Sequence, residues 1–345
     1  MDRTVPPGPV MLDLAGTQLT DEERGMLCHP LVGAVILFAR NFESVAQVRD
    51  LTAEVRRLRP FLLIAVDHEG GRVQRFRNGL TRIPPMRSFG EMWDCDAAQA
   101  CRAAEAAGLV LALELRACGV DFSFTPVLDL DYGKSAVIGD RAFHRDPLAV
   151  AALASSLVSG LRQAGMASVG KHFPGHGFVA EDSHHEVPVD RRGLDALSPD
   201  LLPYREHRRI GLAAVMPAHI VYERLDAQPA GFSAFWLRDV LRGELGFDGA
   251  IFSDDLCMEA ACVAGDIVER ARVALAAGCD MVLVCNNPVA ARRLLVQWQP
   301  AADPRRTGRI ASLRATGTAS PMESLAELPE YQAGRRLLES IPRFQ

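Results

Sequence analysis

The stretch KHFPGHGFVAEDSHH, Lys171–His185, gathers four of the chain's nine histidines with one lysine, two carboxylates and two glycines. An apolar run, Met166–Val169, leads into it and closes on Gly170. A short apolar run that ends in a polar, glycine-bearing loop reads as a strand delivering chemistry at its carboxyl end, the habit of α/β enzymes. Seven more runs share the pattern: Val10–Leu14, Ala34–Phe38, Leu62–Val66, Val120–Phe124, Ala213–Met216, Ala250–Phe252 and Met281–Val284. Each is followed by a turn and then by helical periodicity, so the repeated unit is βα. Eight units predict an α/β fold, a single (β/α)8 TIM-type barrel with its active site at the C-terminal ends of the strands.

Helices are expected over Ser44–Arg57, with Ser44 as N-cap, and over Ala97–Cys118, Leu148–Ala164, Asp200–Arg209 and Ser233–Leu245, the last stopped by Gly246. The connections Glu69–Asp94 and Asp129–Asp146 are long enough to wall a site. No linker interrupts the first three hundred of the 345 residues, which favours one barrel domain over 1–345. From about residue 300 the composition predicts an irregular extension with one short helix, Tyr331–Ile341.

The bulk properties exclude several classes. Hydrophobic residues at 48% and charged residues at 23% describe a soluble globular chain. A net charge of −5 without a basic stripe argues against nucleic acid. Eight cysteines fall singly, without paired spacing, and read as reduced core residues. With no signal-like segment and no run near the ~20 residues that span a bilayer, we expect a cytoplasmic protein with no membrane partner.

Polar groups just past the strands are the candidates for function. After the third run stands Asp67, with Glu69 and Arg75 nearby and the pair Gly70–Gly71 turning the backbone so that Asp67 points inward. After the fourth comes Arg141, beside Asp140, with Asp129 and Asp131 able to hold the loop; an arginine fixed by carboxylates is a good clamp for hydroxyls. After the sixth is His219, read as a wall residue. The seventh ends in Asp254–Asp255, of which strand alternation lets one face the mouth while the other caps the next helix.

Three readings compete for Lys171–His185. As a zinc site, His172 and His176 would need a helix, which Pro174, Gly175 and Gly177 break. As an aldolase, Lys171 would form a Schiff base, which needs a pocket that removes its charge. As acid/base machinery, Asp182 would fix the tautomer of His184, leaving its other nitrogen to protonate a leaving group. Paired with a nucleophilic Asp254, that is a double-displacement hydrolase with a histidine in place of the usual second carboxylate.

The motifs DHEGGRVQRF, GDRAF, KHFPGHG followed by DSH, MPAH and GFDGAIFSDDL occur in that order between Val10 and Val284. Here the chain resembles glycoside hydrolase family 3, in particular the single-domain bacterial β-N-acetylglucosaminidases of peptidoglycan recycling. The resemblance implies retaining hydrolysis of terminal β-linked N-acetylglucosamine, without metal or cofactor. It implies Asp254 as nucleophile, His184 as general acid/base assisted by Asp182, and Asp67, Arg75, Arg141, Lys171 and His172 as sugar-binding residues. The implied substrate is a small muropeptide, N-acetylglucosaminyl-anhydro-muramic acid with or without its peptide, and the implied protein is a cytoplasmic monomer without the sandwich domain of larger members. Cys257 departs from the small hydroxylated residue usual there. A non-catalytic carbohydrate-binding barrel is the alternative, and would be expected to lack one of Asp254, His184 or Asp182. His176 and His185 are assigned supporting roles, and Gly175 and Gly177 are expected to let the loop move.

Overall fold

The computed structural model describes residues 6–181 and 187–341. The eight apolar runs become eight strands: β1 (Val10–Asp13), β2 (Val32–Leu37), β3 (Leu63–Val66), β4 (Phe122–Ser123), β5 (Val169–Phe173), β6 (Ala214–Pro217), β7 (Ala250–Asp255) and β8 (Met281–Val284). They pair in parallel in the order β4-β3-β2-β1-β8-β7-β6-β5. Bridges Phe122↔Ala167 and Val127↔Lys171 join the two outer strands, so the sheet curls into a barrel. Every residue of β2, β3, β5, β6 and β8 is buried. Both faces of such a strand are covered, which is why the runs are continuous rather than alternating.

Inside the barrel the rings of Phe122, Phe124 and Phe252 meet at centroid separations of 5.1–5.7 Å and are fully buried. Phe124 also borders the cavity above, so this cluster is its floor. Offset and edge-on aromatic pairs of this kind add about 0.5–1.5 kcal/mol each beyond area burial.

The outer helices follow the sequence closely. Ser44 caps Val45–Leu58 by accepting from Gln47 N. Ala97–Ala117 and Pro147–Gln163 pack against each other through Gly108 and Gly160, where an added Cβ would come within 2.0 Å of the Leu157 and Glu105 carbonyl oxygens respectively. Gly108→Ala is therefore expected to cost about 1–3 kcal/mol of overpacking and to lower the thermal unfolding midpoint; an unchanged midpoint would mean the helices separate freely. The helix expected over Asp200–Arg209 starts earlier, at Leu194–Arg205, and tolerates Pro199 and Pro203. Phe235–Glu244 is wound as a π-helix, and Gly246 beyond it takes φ +67°.

The segment after residue 300 is more ordered than its composition suggests, with helices at Pro304–Ala311, Met322–Leu325 and Pro329–Glu339. Asp303 caps the first by accepting from Arg305 N and Arg306 N. Arg309 and Arg242 both reach Asp280, which also accepts the Ile251 N–H at the start of β7. Tyr331 Oη donates to Glu114 at 2.6 Å, and Glu114 in turn accepts from Thr81. The Asp-Pro pair at 303–304 is the local signal for the first of these helices. Among the described residues no helix is long and apolar enough to cross a membrane.

Candidate active site

The carboxyl ends of the strands surround a cavity of about 510 Å³ lined by Asp67, Glu69, Arg75, Arg141, Lys171, His172, His176, Asp254 and Asp255 among others. β3 supplies the first of these. Immediately after it, His68–Gly70 and Val73–Gln74 form a small antiparallel hairpin. Gly70 and Gly71 turn it at φ +121° and +55°, conformations that glycine adopts without a steric penalty. The hairpin brings Glu69 and Arg75 to the same rim as Asp67.

β5 supplies the cation. Lys171 and His172 lie within the strand's last residues rather than beyond its end. Lys171 Nζ sits 2.9 Å from Asp67 Oδ1 and 2.6 Å from Glu69 Oε1. Glu69 is also gripped by Arg141 through two bonds of 2.9 Å, the fork geometry that makes arginine a rigid clamp. Arg75 stands 4.0 Å from Asp67. Burial alone would raise the Glu69 pKa, but Arg141 and Lys171 overcome it and hold the carboxyl well below its ordinary range. Burial likewise works against the charge on Lys171, yet Asp67 and Glu69 raise its pKa above the lysine norm. An amine kept protonated in this way has no lone pair for imine formation.

Asp129, fully buried, connects β5 to the loop beyond it. Its carboxylate lies 2.7 Å from His172 Nδ1 and accepts the His176 N–H at 2.7 Å. Burial would lift its pKa, and the charge and bond of His172 bring it below the ordinary value. Since a carboxylate only accepts, His172 Nδ1 carries the proton. The His176 pKa falls to about 4, chiefly through burial and then through the charge of His172.

β7 carries the paired aspartates, and strand alternation does not separate them: both line the cavity. The register against β8 shifts between Phe252 and Asp255, and Asp254 adopts φ +63°, a left-handed backbone costly for a non-glycine residue. Burial would raise the Asp254 pKa, but His219, His172, the Asp255 N–H and Lys171 together lower it below the ordinary 3.8. Asp255 goes the other way, up to about 7, because burial and the neighbouring charges of Asp254 and Asp13 exceed the help of its two N–H donors. Neighbouring carboxyls thus differ, one ionised and one near half-protonated at neutral pH.

Asp67, Arg75, Arg141, Lys171, His172 and Asp254, far apart in the chain, are therefore brought to one cavity. Asp182, His184 and His185 lie outside the described residues. One further expectation changes: the clamp on Arg141 is Glu69, whereas neighbouring Asp140 pairs with Arg72. The glycines of KHFPGHG also allow close packing: a Cβ on Gly177 would lie 1.8 Å from Leu130 O, and one on Gly175 would lie 2.7 Å from Asp200 Oδ1. Glu69 and Asp129 escape a reading of the sequence as site residues because the charges they answer lie 72, 102 and 43 positions away; the His-Glu pair of DHEGG is the nearest hint.

Residues 10–303 match the family described as glycosyl hydrolase family 3 N terminal domain. A β-hexosaminidase of Aromatoleum aromaticum is 59% identical over 339 residues, covering 97% of this chain and 95% of that protein. One from Nitrosospira multiformis is 60% identical over 327 residues, covering 94% and 92%. The solved structure of NagZ from Neisseria gonorrhoeae in complex with N-trifluoroacetyl-D-glucosamine superposes with a TM-score of 0.93 at 50% identity, covering 98% of each chain.

Proposed function

This chain belongs to glycosyl hydrolase family 3 and is a β-N-acetylhexosaminidase, and from this we propose that it is a retaining exo-enzyme acting on terminal β-linked N-acetylglucosamine of peptidoglycan fragments. In this reading the substrate is N-acetylglucosaminyl-1,6-anhydro-muramic acid, free or with its peptide, and the work is cell-wall recycling by a cytoplasmic monomer. The observation that carries it is Asp254: an ionised carboxylate, half-buried and held in a left-handed backbone, facing the same cavity as the Lys171–Asp67–Glu69–Arg141 network. Strain retained at a cavity-facing charge is what a fixed nucleophile requires.

Asp67 accepts from the sugar hydroxyls, Arg75, Arg141 and Lys171 donate to them, and His172 completes the set. Asp254 attacks the anomeric carbon; the glycosidic C–O bond breaks and the departing oxygen takes the proton of imidazolium His184. Water then gives its proton to neutral His184 and its oxygen to the anomeric carbon, freeing Asp254. Asp182 orients His184 and stabilises its charged form. The N-trifluoroacetyl-D-glucosamine bound by the gonococcal relative supports an amino sugar as the occupant.

Hydrolysis of an aryl β-N-acetylglucosaminide beside the matching β-glucoside, with a chelator present, tests the class, and NMR of the first-formed anomer tests the mechanism. The β-anomer is expected; initial α-anomer would remove the covalent step. The pH profile gives a second test. The nucleophile must be ionised, and its pKa lies below 3.8, so kcat/KM should fall on the acid side only below about pH 4. On the alkaline side it should fall as the imidazolium loses its proton, over about pH 6–8. An acid limb near pH 7 would instead identify Asp255, whose carboxyl titrates there.

A further inference from the structure

We propose that Asp255 is the positioning residue of this reaction, its carboxyl pinning the strand kink that holds the Asp254 carboxylate toward the sugar. The inference rests on the reading of Asp254 as nucleophile.

A regular strand would give residues 254 and 255 to opposite faces. The kink that prevents this lies where β7 slips its register against β8, between Phe252 and Asp255. Such a slip, with a left-handed non-glycine residue inside it, persists only if neighbouring bonds over-determine it. Residue 255 supplies most of those bonds. Its carboxylate Oδ1 accepts two backbone N–H groups, from Cys257 at 2.9 Å in the turn beyond and from Cys285 at 3.1 Å just past β8. Its own N–H donates to Asp254 Oδ1 at 2.8 Å. Its carbonyl oxygen lies 3.1 Å from His219 Nε2, on the ring just past β6, so that nitrogen carries the proton and donates.

From the other side Ser253 completes the clasp: its hydroxyl donates to the Asp254 carbonyl and accepts the Leu283 N–H at 3.2 Å. Asp254 is thus bracketed by two residues that both grip β8, and its side chain is held at the cavity. The side chain that joins the turn to β8 is that of Asp255. What this role needs is an acceptor oxygen of the right reach, not a negative charge. Burial, which pushes the Asp255 carboxyl up to about 7, agrees: the group is partly neutral at working pH, and an asparagine reproduces its acceptor oxygen.

The experiment compares Asp255→Asn, Asp255→Ala and Asp255→Ser on an aryl β-N-acetylglucosaminide, with inhibition by N-acetylglucosamine as the check that the sugar pocket is intact. Asp255→Asn should stay within about tenfold of the wild-type kcat. Alanine leaves both N–H groups without an acceptor and lets the kink relax, so kcat should fall about 100-fold with the N-acetylglucosamine inhibition constant unchanged. Asp255→Ser, whose hydroxyl spans at most one of the two donors, should fall between them and stands in if the alanine variant does not fold. Wild-type kcat in Asp255→Ala, or an Asp255→Asn as impaired as the alanine variant, overturns the proposal.

Sodium azide separates this outcome from failure of the nucleophile assignment. Azide should take the place of the missing carboxylate in Asp254→Gly, displacing the aryl oxide to give the α-glycosyl azide. It should give none with Asp255→Ala, where the nucleophile is still present. The α-azide from Asp255→Ala would instead make Asp255 the nucleophile.

Discussion

Asp254→Gly is expected to lose turnover by on the order of 10⁵-fold while raising the unfolding midpoint. Both effects come from one geometry. In the proposed mechanism the carboxylate is the group that forms the bond to the anomeric carbon, so without it the enzyme would retain only binding and proton transfer. A loss of that size corresponds to about 7 kcal/mol of transition-state stabilisation. The stability gain comes from φ +63°, which costs an L-residue about 1 kcal/mol or more in steric strain that glycine does not incur. A partly desolvated charge is removed at the same time, although its partners His219, His172 and Lys171 lose an anion. Steady-state kinetics beside a thermal melt reads both quantities from one preparation. Residual turnover within tenfold of wild type would take the nucleophile role away from Asp254, and a lowered midpoint would show that the carboxylate stabilises the fold more than its backbone strains it.

His184→Gly should divide substrates by leaving group. For a sugar aglycone, a poor leaving group that needs its proton in the transition state, kcat/KM is expected to fall by about 10²- to 10⁴-fold, the usual worth of general acid help. For an activated aryl glycoside, whose oxide departs without protonation, glycosylation should be nearly unaffected, and the defect moves to release of the glycosyl-enzyme by water. The variant should then show a burst of phenol followed by slow turnover. Equal losses on both substrates, with no burst, would take His184 out of the acid role. If Asp182 orients His184 as proposed, Asp182→Ala is expected to show the same ordering more weakly.

Much of this is legible in the chain before any coordinates. The short apolar runs bounded by turns read as strands covered on both faces, and β8 coincides with its run, Met281–Val284. The family motifs sit at strand ends because barrel chemistry does, so Asp67, Arg141, Lys171, His172 and the Asp254–Asp255 pair stand out as candidates in the sequence, and only the family resemblance chooses Asp254 from its pair. Boundaries are weaker where polar residues continue a strand. β5 runs on through Lys171 and His172 to Phe173, since its hydrogen bonds to β6 continue past the last apolar residue. The helices after residue 300 are obscured by a stretch rich in proline, threonine and glycine, although Asp303 and Pro304 mark the first of them.

Local order is carried by periodicity and by caps, which depend on residues a few positions apart; these settle the barrel, its eight strands and the identity of the groups at their ends. Electrostatic partnership depends on distance in space. Glu69 answers Arg141 and Lys171, and Asp129 answers His172, only once the barrel brings these residues together. The difference between Asp254 and Asp255 is of the same kind: in the chain they are equivalent neighbours. Both line the cavity, but where β7 slips its register against β8 one stands as an ionised carboxylate while the other accepts the backbone N–H groups of Cys257 and Cys285.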